Sequence, residues 1–102
     1  MTLQDQLQTA CTNSSETTYN ETQGTCTVRR TQISVEQGEV TVYKQNKNNI
    51  KETKHTAEAN SIEYDKDNKE IEIQGEKSTI EINATPDQDY LSGTKYNKLR
   101  NQ

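Results

Sequence analysis

A short apolar-acidic-apolar unit recurs at nine-residue spacing between residues 62 and 82, and it limits what this chain can fold into. Because side chains alternate between the two faces of a strand, each copy places two apolar residues on one face and a glutamate on the other. Turn-forming residues, Asp67-Asn68 and Gln74-Gly75-Glu76-Lys77, separate the copies. The segment is therefore predicted to be an antiparallel β-meander. Its three copies are Ile62-Glu63-Tyr64, Ile71-Glu72-Ile73 and Ile80-Glu81-Ile82.

One register brings the apolar residues of neighbouring strands together. It pairs Tyr64 with Ile71, Ile62 with Ile73, Ile73 with Ile80 and Ile71 with Ile82; an earlier hairpin around Gln37-Gly38 pairs Val35 with Val40 and Ile33 with Val42. Each aliphatic cross-strand pair contributes roughly 0.2–1 kcal/mol, and a one-residue slip would turn all of them to solvent. These residues form the predicted inner face, which is the candidate ligand-binding surface: Ile33, Val35, Val40, Val42, Ile62, Tyr64, Ile71, Ile73, Ile80 and Ile82.

The composition limits how much these strands can bury. The chain has 102 residues, of which 26% are hydrophobic, and it contains neither Phe nor Trp. A chain of this length forms one domain, and so few apolar residues give it a thin core. A second sheet, a partner chain or a ligand should therefore cover the inner face. We predict an all-β fold, an antiparallel meander or open jelly-roll-like β-sandwich with a short N-terminal helix.

The parts of the chain outside the meander are more polar. Leu3, Leu7 and Ala10 have helical spacing, which predicts a short amphipathic helix over residues 1–10. The rest of the single β domain is predicted as a polar loop at 12–25, antiparallel strands at 26–83 and a polar tail at 84–102. Within residues 44–60 we expect a ragged edge strand or a turn of helix near residues 56–59, with His55 exposed.

Cys11 and Cys26 are the two cysteines, and they lie on either side of a loop rich in Ser, Thr and Asn. Without further Cys or His nearby they do not form a zinc site. A disulfide between them would close the loop and contribute about 3 kcal/mol in the chain-entropy model. The alternative is a pair of reduced thiols in a cytosolic protein. We favour the bridge, because a free cysteine in so polar a segment would be exposed.

The outer face of the meander is acidic. The same register places Glu63 opposite Glu72 and Glu72 opposite Glu81. Like charges in direct opposition are destabilising. This row could coordinate a hard cation such as calcium or meet a basic partner surface, or it could be a solvated face that protects the sheet from aggregation. The solvated face is the interpretation we favour, and the sequence leaves cation binding open.

Neither catalysis nor nucleic-acid binding is indicated. The chain has four glycines and one histidine, with no nucleophile motif, no phosphate loop and no metal-ligand spacing, so we expect no enzymatic activity and no cofactor. A stripe of Lys44, Lys47, Lys51 and Lys54 would require a helix, which the neighbouring Asn residues disfavour. Since this segment also lacks aromatic residues for base stacking, we interpret it as a solvated loop and expect no nucleic-acid partner.

Two motifs between Gly38 and Ile82 resemble a known family. Gly38-Glu39-Val40-Thr41-Val42 has the form Gly-x-Val-x-Val. Residues 59–65 follow the form Ala-Asp-x-x-x-Tyr-Asp, with Asn60 in place of Asp, and Asn68-Lys69-Glu70-Ile71 and Gly75 complete the motif. These motifs resemble the repeating unit of periplasmic lipopolysaccharide-transport domains, the LptA/OstA-like β-jelly rolls. The resemblance implies an open V-shaped sandwich whose interior accepts acyl chains, whose ends add strands to neighbouring domains, and which has no catalytic residue.

Two functions from different classes follow. In the first, which we favour, the inner face binds lipid acyl chains or docks a similar domain, and the resemblance implies a periplasmic location. In the second, a partner chain covers the same face, and the protein is a small phage-encoded structural, assembly or host-inhibitory protein. No signal sequence or membrane span is recognisable, so a cytoplasmic or virion location would accompany this second function. With either function we expect self-association through sheet edges or the inner face.

Overall fold

The computed structural model describes residues 1–45, 48, 50–84 and 94–98 of the chain. Within these residues one helix is followed by nine strands. The elements are α1 (Leu3–Asn13), β1 (Thr18–Asn20), β2 (Thr25–Val28), β3 (Thr31–Glu36), β4 (Glu39–Gln45), β5 (Lys51–Glu58), β6 (Ser61–Asp65), β7 (Glu70–Gln74), β8 (Ser78–Asn83) and β9 (Thr94–Lys98). No helix of this described part is long and apolar enough to span a membrane.

The strands form two open antiparallel sheets in which chain neighbours pair. The first sheet has the order β1-β2-β3-β4-β5 and the second has the order β6-β7-β8-β9. The predicted β class and meander connectivity are therefore confirmed. The predicted register is confirmed as well, since all six apolar pairs form as expected: Tyr64 with Ile71, Ile62 with Ile73, Ile73 with Ile80, Ile71 with Ile82, Val35 with Val40, and Ile33 with Val42.

Helix α1 begins at a capping box. The Thr2 hydroxyl accepts a hydrogen bond from the Asp5 backbone N–H at 3.0 Å, and the Asp5 carboxylate accepts one from the Thr2 N–H at 3.3 Å. Two backbone donors that the first turn leaves without helical partners are thereby satisfied. The helix continues to Asn13, beyond the predicted end at Ala10, and its buried side includes Cys11.

The inner faces of both sheets and one side of α1 enclose a single apolar core. Eight of the ten predicted inner-face residues are buried, whereas Val35 and Tyr64 are half-buried at its margin. The helix adds Leu7, Ala10 and Cys11 to this core. The apolar face of a thin sandwich is thus covered by the chain itself, by a second sheet and by a helix.

Several predictions for the polar segments were wrong. Residues 12–25 contain the end of α1 and β1 rather than only a loop, and the predicted tail contains β9; its residues 85–93 and 99–102 lie outside the described part. The predicted ragged edge strand is present as β5, whose pairing with β4 shifts register at Val42 and Tyr43. The alternative, a turn of helix near residues 56–59, is not formed, because these residues belong to β5 or follow it directly. Lys51 and Lys54, which were interpreted as part of a solvated loop, lie in β5, and Lys47 lies outside the described residues.

His55 is half-buried, not exposed as predicted. Its strand places it directly opposite Val42, which is 0% exposed on the inner face. Because opposed residues of an antiparallel pair share a face, the imidazole lies on the inner side of the edge strand. The prediction that His55 is exposed failed because it was based on the polar composition of residues 44–60, which does not indicate the strand face.

Candidate functional site

A disulfide anchors α1 to the first sheet. Cys11 of the helix and Cys26 of β2 are bridged, with their Cα atoms 5.9 Å apart, and both residues are 0% exposed. The two cysteines therefore lie at the distance that the predicted bridge requires. Since the cross-link joins the helix to a central part of the fold, it holds α1 over the inner faces of the sheets.

Glutamine side chains attach the same helix to both sheets. The Gln4 amide donates hydrogen bonds to the Tyr19 hydroxyl and to the Gly24 carbonyl, each at 2.8 Å. Two residues further along the helix, the Gln6 side-chain oxygen Oε1 accepts a hydrogen bond from the Ile62 backbone N–H at 2.9 Å. Strand β6 is an edge strand, so this bond satisfies a backbone donor that has no neighbouring strand to pair with.

An open groove lies between α1 and β6. Its volume is about 380 Å³, which falls within the usual range for sites that bind small molecules. Met1, Thr9 and Ala10 line the helix side, and Ile62, Glu63 and Tyr64 line the strand side. Met1 is 85% exposed at the rim, whereas Ala10 and Ile62 are buried and form the floor.

The predicted ligand-binding residues are divided between the core and this groove. Of the ten, only Ile62 and Tyr64 line the groove, and most of the others are packed against one another in the core. Because most of these residues are buried in the core, they offer little surface to a ligand, whereas Ile62 and Tyr64 line the groove beside α1. Sequence reasoning missed this groove, although the apolar stripe of the helix was a signal that its face required a partner.

The outer face of the second sheet carries the predicted carboxylate row. Glu63 lies opposite Glu72, and Glu72 lies opposite Glu81. The closest approach, however, involves Asp65, Glu70 and Glu72, whose ligand oxygens lie within 4.8 Å of one another. Burial, and then repulsion from the surrounding carboxylates, raises the pKa of Glu72 above its ordinary value.

Asp65 behaves differently because its carboxylate is engaged in the β6-β7 turn. It accepts hydrogen bonds from the backbone N–H groups of Asn68 at 3.2 Å and Asp67 at 2.9 Å, and from the Asn68 side-chain amide at 2.9 Å. The bonds from Asn68 are the main reason that the pKa of Asp65 is lowered. This carboxylate therefore has a structural role in the turn, which accounts for its position without a bound cation.

A second depression lies where β5 meets the β7-β8 turn. It has a volume of about 330 Å³ and is lined by residues 56–58 and 76–78. The backbone is tightly packed at this point, because a Cβ atom on Gly75 would clash with the Glu58 carbonyl oxygen. The contact connects the end of the first sheet to the second.

Comparison of the chain with protein-family models, curated proteins and solved structures finds no match.

Proposed function

We propose that this protein is a non-enzymatic binding domain that holds an acyl chain in the groove between α1 and β6. The observation that carries the proposal is the groove itself, an open depression of about 380 Å³ with an apolar floor. Buried Ala10 and Ile62 form that floor, and the half-buried Tyr64 ring and exposed Met1 extend the apolar surface toward solvent. Covering Met1 and Tyr64 with a ligand would remove apolar area from water, at roughly 25 cal/mol per Å².

The rim of the groove indicates which head groups would be tolerated. Thr9, Asn13 and Ser61 supply uncharged hydrogen-bonding groups, and Glu63 is a carboxylate on the strand side. An anionic head group would be repelled by Glu63, whereas a zwitterionic or neutral one could hydrogen-bond to the hydroxyl and amide groups. We therefore assign the groove to neutral or zwitterionic single-chain amphiphiles.

Two further features support a role in lipid binding outside the cytosol. The disulfide between Cys11 and Cys26 is of the kind that persists in oxidising compartments, which supports a periplasmic location. Two open sheets around one apolar core are compatible with the open sandwich that the resemblance implies, although only consecutive strands pair in each sheet, without Greek-key crossovers. In this proposal the acyl chain lies along the helix rather than between the sheets.

The test is native mass spectrometry of the oxidised protein with lysophosphatidylcholine below its micellar concentration. Thr9→Trp should fill the groove from its exposed rim and abolish the adduct, since Thr9 is exposed and its replacement leaves the core intact. Thr12→Trp is the matched control, because Thr12 is exposed on α1 and is not among the residues lining the groove. Equal adduct formation by both variants, or none by the wild type, would contradict the proposal.

The carboxylate row favours a second candidate function, contact with a basic partner protein. Glu72 has Glu63 on one side and Glu81 on the other, and its pKa is raised partly by their charges. A lysine- or arginine-rich surface would relieve this repulsion on binding. A lysine-rich peptide should then bind at low ionic strength and lose affinity in Glu72→Gln; binding that is unaffected by this substitution would exclude the row as the contact.

A further inference from the structure

The disulfide and the groove share helix α1. Cys11 directly follows Ala10, the residue through which the helix contributes to the groove floor. Its partner Cys26 lies in β2 of the first sheet, whereas the other wall of the groove is β6, an edge strand of the second sheet. The bridge therefore ties one wall of the groove to the sheet that does not form the other wall.

Hydrogen bonds from two glutamines complete the attachment of α1. Gln4 bonds to Tyr19 and to the Gly24 carbonyl, at the β1-β2 hairpin, and Gln6 accepts the Ile62 backbone N–H of β6. Single hydrogen bonds of this kind contribute modestly to stability. The covalent bridge is therefore the strongest single restraint on the position of the helix.

Burial determines how the bridge can be reduced. A thiolate must reach one of the two sulfurs to break the bond, and both cysteines are 0% exposed. Because Cys11 belongs to α1, a displacement of the helix exposes the bridge. The same displacement separates Ala10 from Ile62 and breaks the bond between Gln6 and β6, so it also removes the groove.

We propose that the disulfide and the groove are coupled: an acyl chain bound between α1 and β6 protects the bridge from reduction, and a dithiol that reduces the bridge releases the acyl chain. This coupling rests on the proposed function, because its ligand is the amphiphile assigned to the groove. A ligand that contacts both walls binds only while α1 is docked, and the bridge is attacked only after α1 has moved. By linkage, each event opposes the other.

The chemistry is thiol–disulfide exchange with a dithiol as the reductant. One thiolate of the dithiol attacks a sulfur of the bridge, forms a mixed disulfide and releases the other cysteine as a thiolate. The second thiolate of the dithiol then attacks the mixed disulfide, closes the reductant's own disulfide and releases the second cysteine. Two electrons pass to Cys11 and Cys26, and the two protons that the dithiol lost return to them through water.

Reduction kinetics test the protection. The wild type is incubated with dithiothreitol, with and without lysophosphatidylcholine below its micellar concentration, and mass spectrometry after alkylation gives the reduced fraction. At a ligand concentration about ten times the Kd, reduction should slow about tenfold, because only about one molecule in ten is then free. Thr9→Trp, which fills the groove, should be reduced at one rate with and without the ligand. Thr12→Trp, outside the groove, should be protected like the wild type.

Native mass spectrometry of the same samples separates the coupling from the proposed function. An adduct on the oxidised protein without any slowing of reduction overturns the coupling and leaves the proposed function intact. An adduct that persists on the fully reduced protein does the same. If the oxidised protein carries no adduct, both the proposed function and the coupling fail.

The urea dependence of the reduction rate tests the movement of α1 without a ligand. Displacement of one helix exposes much less surface than unfolding of the domain, and the urea slope scales with the surface exposed. The logarithm of the wild-type reduction rate should therefore change with urea, below the unfolding transition, by only a small fraction of the equilibrium slope. A change equal to the full equilibrium slope would mean that the bridge is reduced after global unfolding, and this result would overturn the coupling through α1.

Discussion

Replacing Ile73 with alanine removes the side chain at the centre of the second sheet. Ile73 is 1% exposed and lies between Ile62 and Ile80 in register. Deleting the branch beyond Cβ forfeits about 2–3 kcal/mol of transfer free energy, at roughly 0.8 kcal/mol for each buried carbon. The cavity that is left between two sheets raises the expected loss to about 3–4 kcal/mol.

This loss is a large part of the free energy of unfolding expected for a domain of this size. A chain of this length is typically stable by about 5–15 kcal/mol, and a core with few large side chains falls toward the lower limit. A loss of about 3 kcal/mol lowers the Tm of a small domain by roughly 12–24 °C. Ile73→Ala should therefore leave the protein only marginally folded at 37 °C.

The assay is urea unfolding followed by far-UV circular dichroism without reductant, with Val35→Ala as the control. Val35 is half-buried on the inner face of the first sheet, so its truncation should cost about 1 kcal/mol or less. The assignment of the core is wrong if Ile73→Ala lowers the free energy of unfolding by less than about 1 kcal/mol. It is also wrong if Val35→Ala lowers it by more than Ile73→Ala does.

Three further perturbations test other parts of the structure. Cys11→Ser/Cys26→Ser should lose about 3 kcal/mol in thermal unfolding, and adding reductant to the wild type should have a similar effect; an unchanged Tm would argue against the bridge. Glu72→Gln should stabilise by roughly 0.5–1 kcal/mol at neutral pH. The pKa of Glu72 is raised in the folded state, so its carboxylate destabilises the fold at pH values above that pKa. The stabilisation by Glu72→Gln should therefore disappear as the pH falls and Glu72 becomes protonated. Stabilisation that persists at acidic pH would exclude the charge of Glu72 as its cause. Gly75→Ala should cost more than Gly38→Ala, because a Cβ on Gly75 would clash with the Glu58 carbonyl, whereas at Gly38, with φ +80° and nothing within 4 Å, the cost is only that of a left-handed backbone. The reverse order of Tm values would contradict the packing.

The meander and its register could be predicted because the apolar residues are concentrated there. Alternation at Ile71-Glu72-Ile73 and its two repeats defines both the strand faces and the pairing, since a one-residue slip exposes the isoleucines. The opposition of Glu63, Glu72 and Glu81 followed from the same register. The pattern within this short segment was therefore sufficient to predict its strands and their pairing.

Strands without such a pattern were missed or left open, since β1 was predicted as loop and β5 only as an edge strand or a turn of helix. Residues 18–20 of β1 include one apolar side chain, Tyr19, and pairing with β2 makes them a strand. Strand β5 is rich in polar residues and depends on its neighbour β4. In both strands tertiary pairing overrides weak propensity. The groove was not predicted either, because it forms where α1 lies beside β6, and no local sequence pattern indicates that these two elements are in contact.

Amide chemical-shift mapping during titration with lysophosphatidylcholine tests the central claim, that an acyl chain binds beside α1. The Ile62 amide is the most direct reporter, since it donates to the Gln6 side chain at the floor of the groove. We predict saturable shifts at Ile62, Tyr64 and the α1 residues from Gln6 to Asn13, with little change at Glu36, Glu39 and Glu58 of the first sheet. Shifts confined to the interior strands β7 and β8, or no saturable shifts at all, would contradict the account.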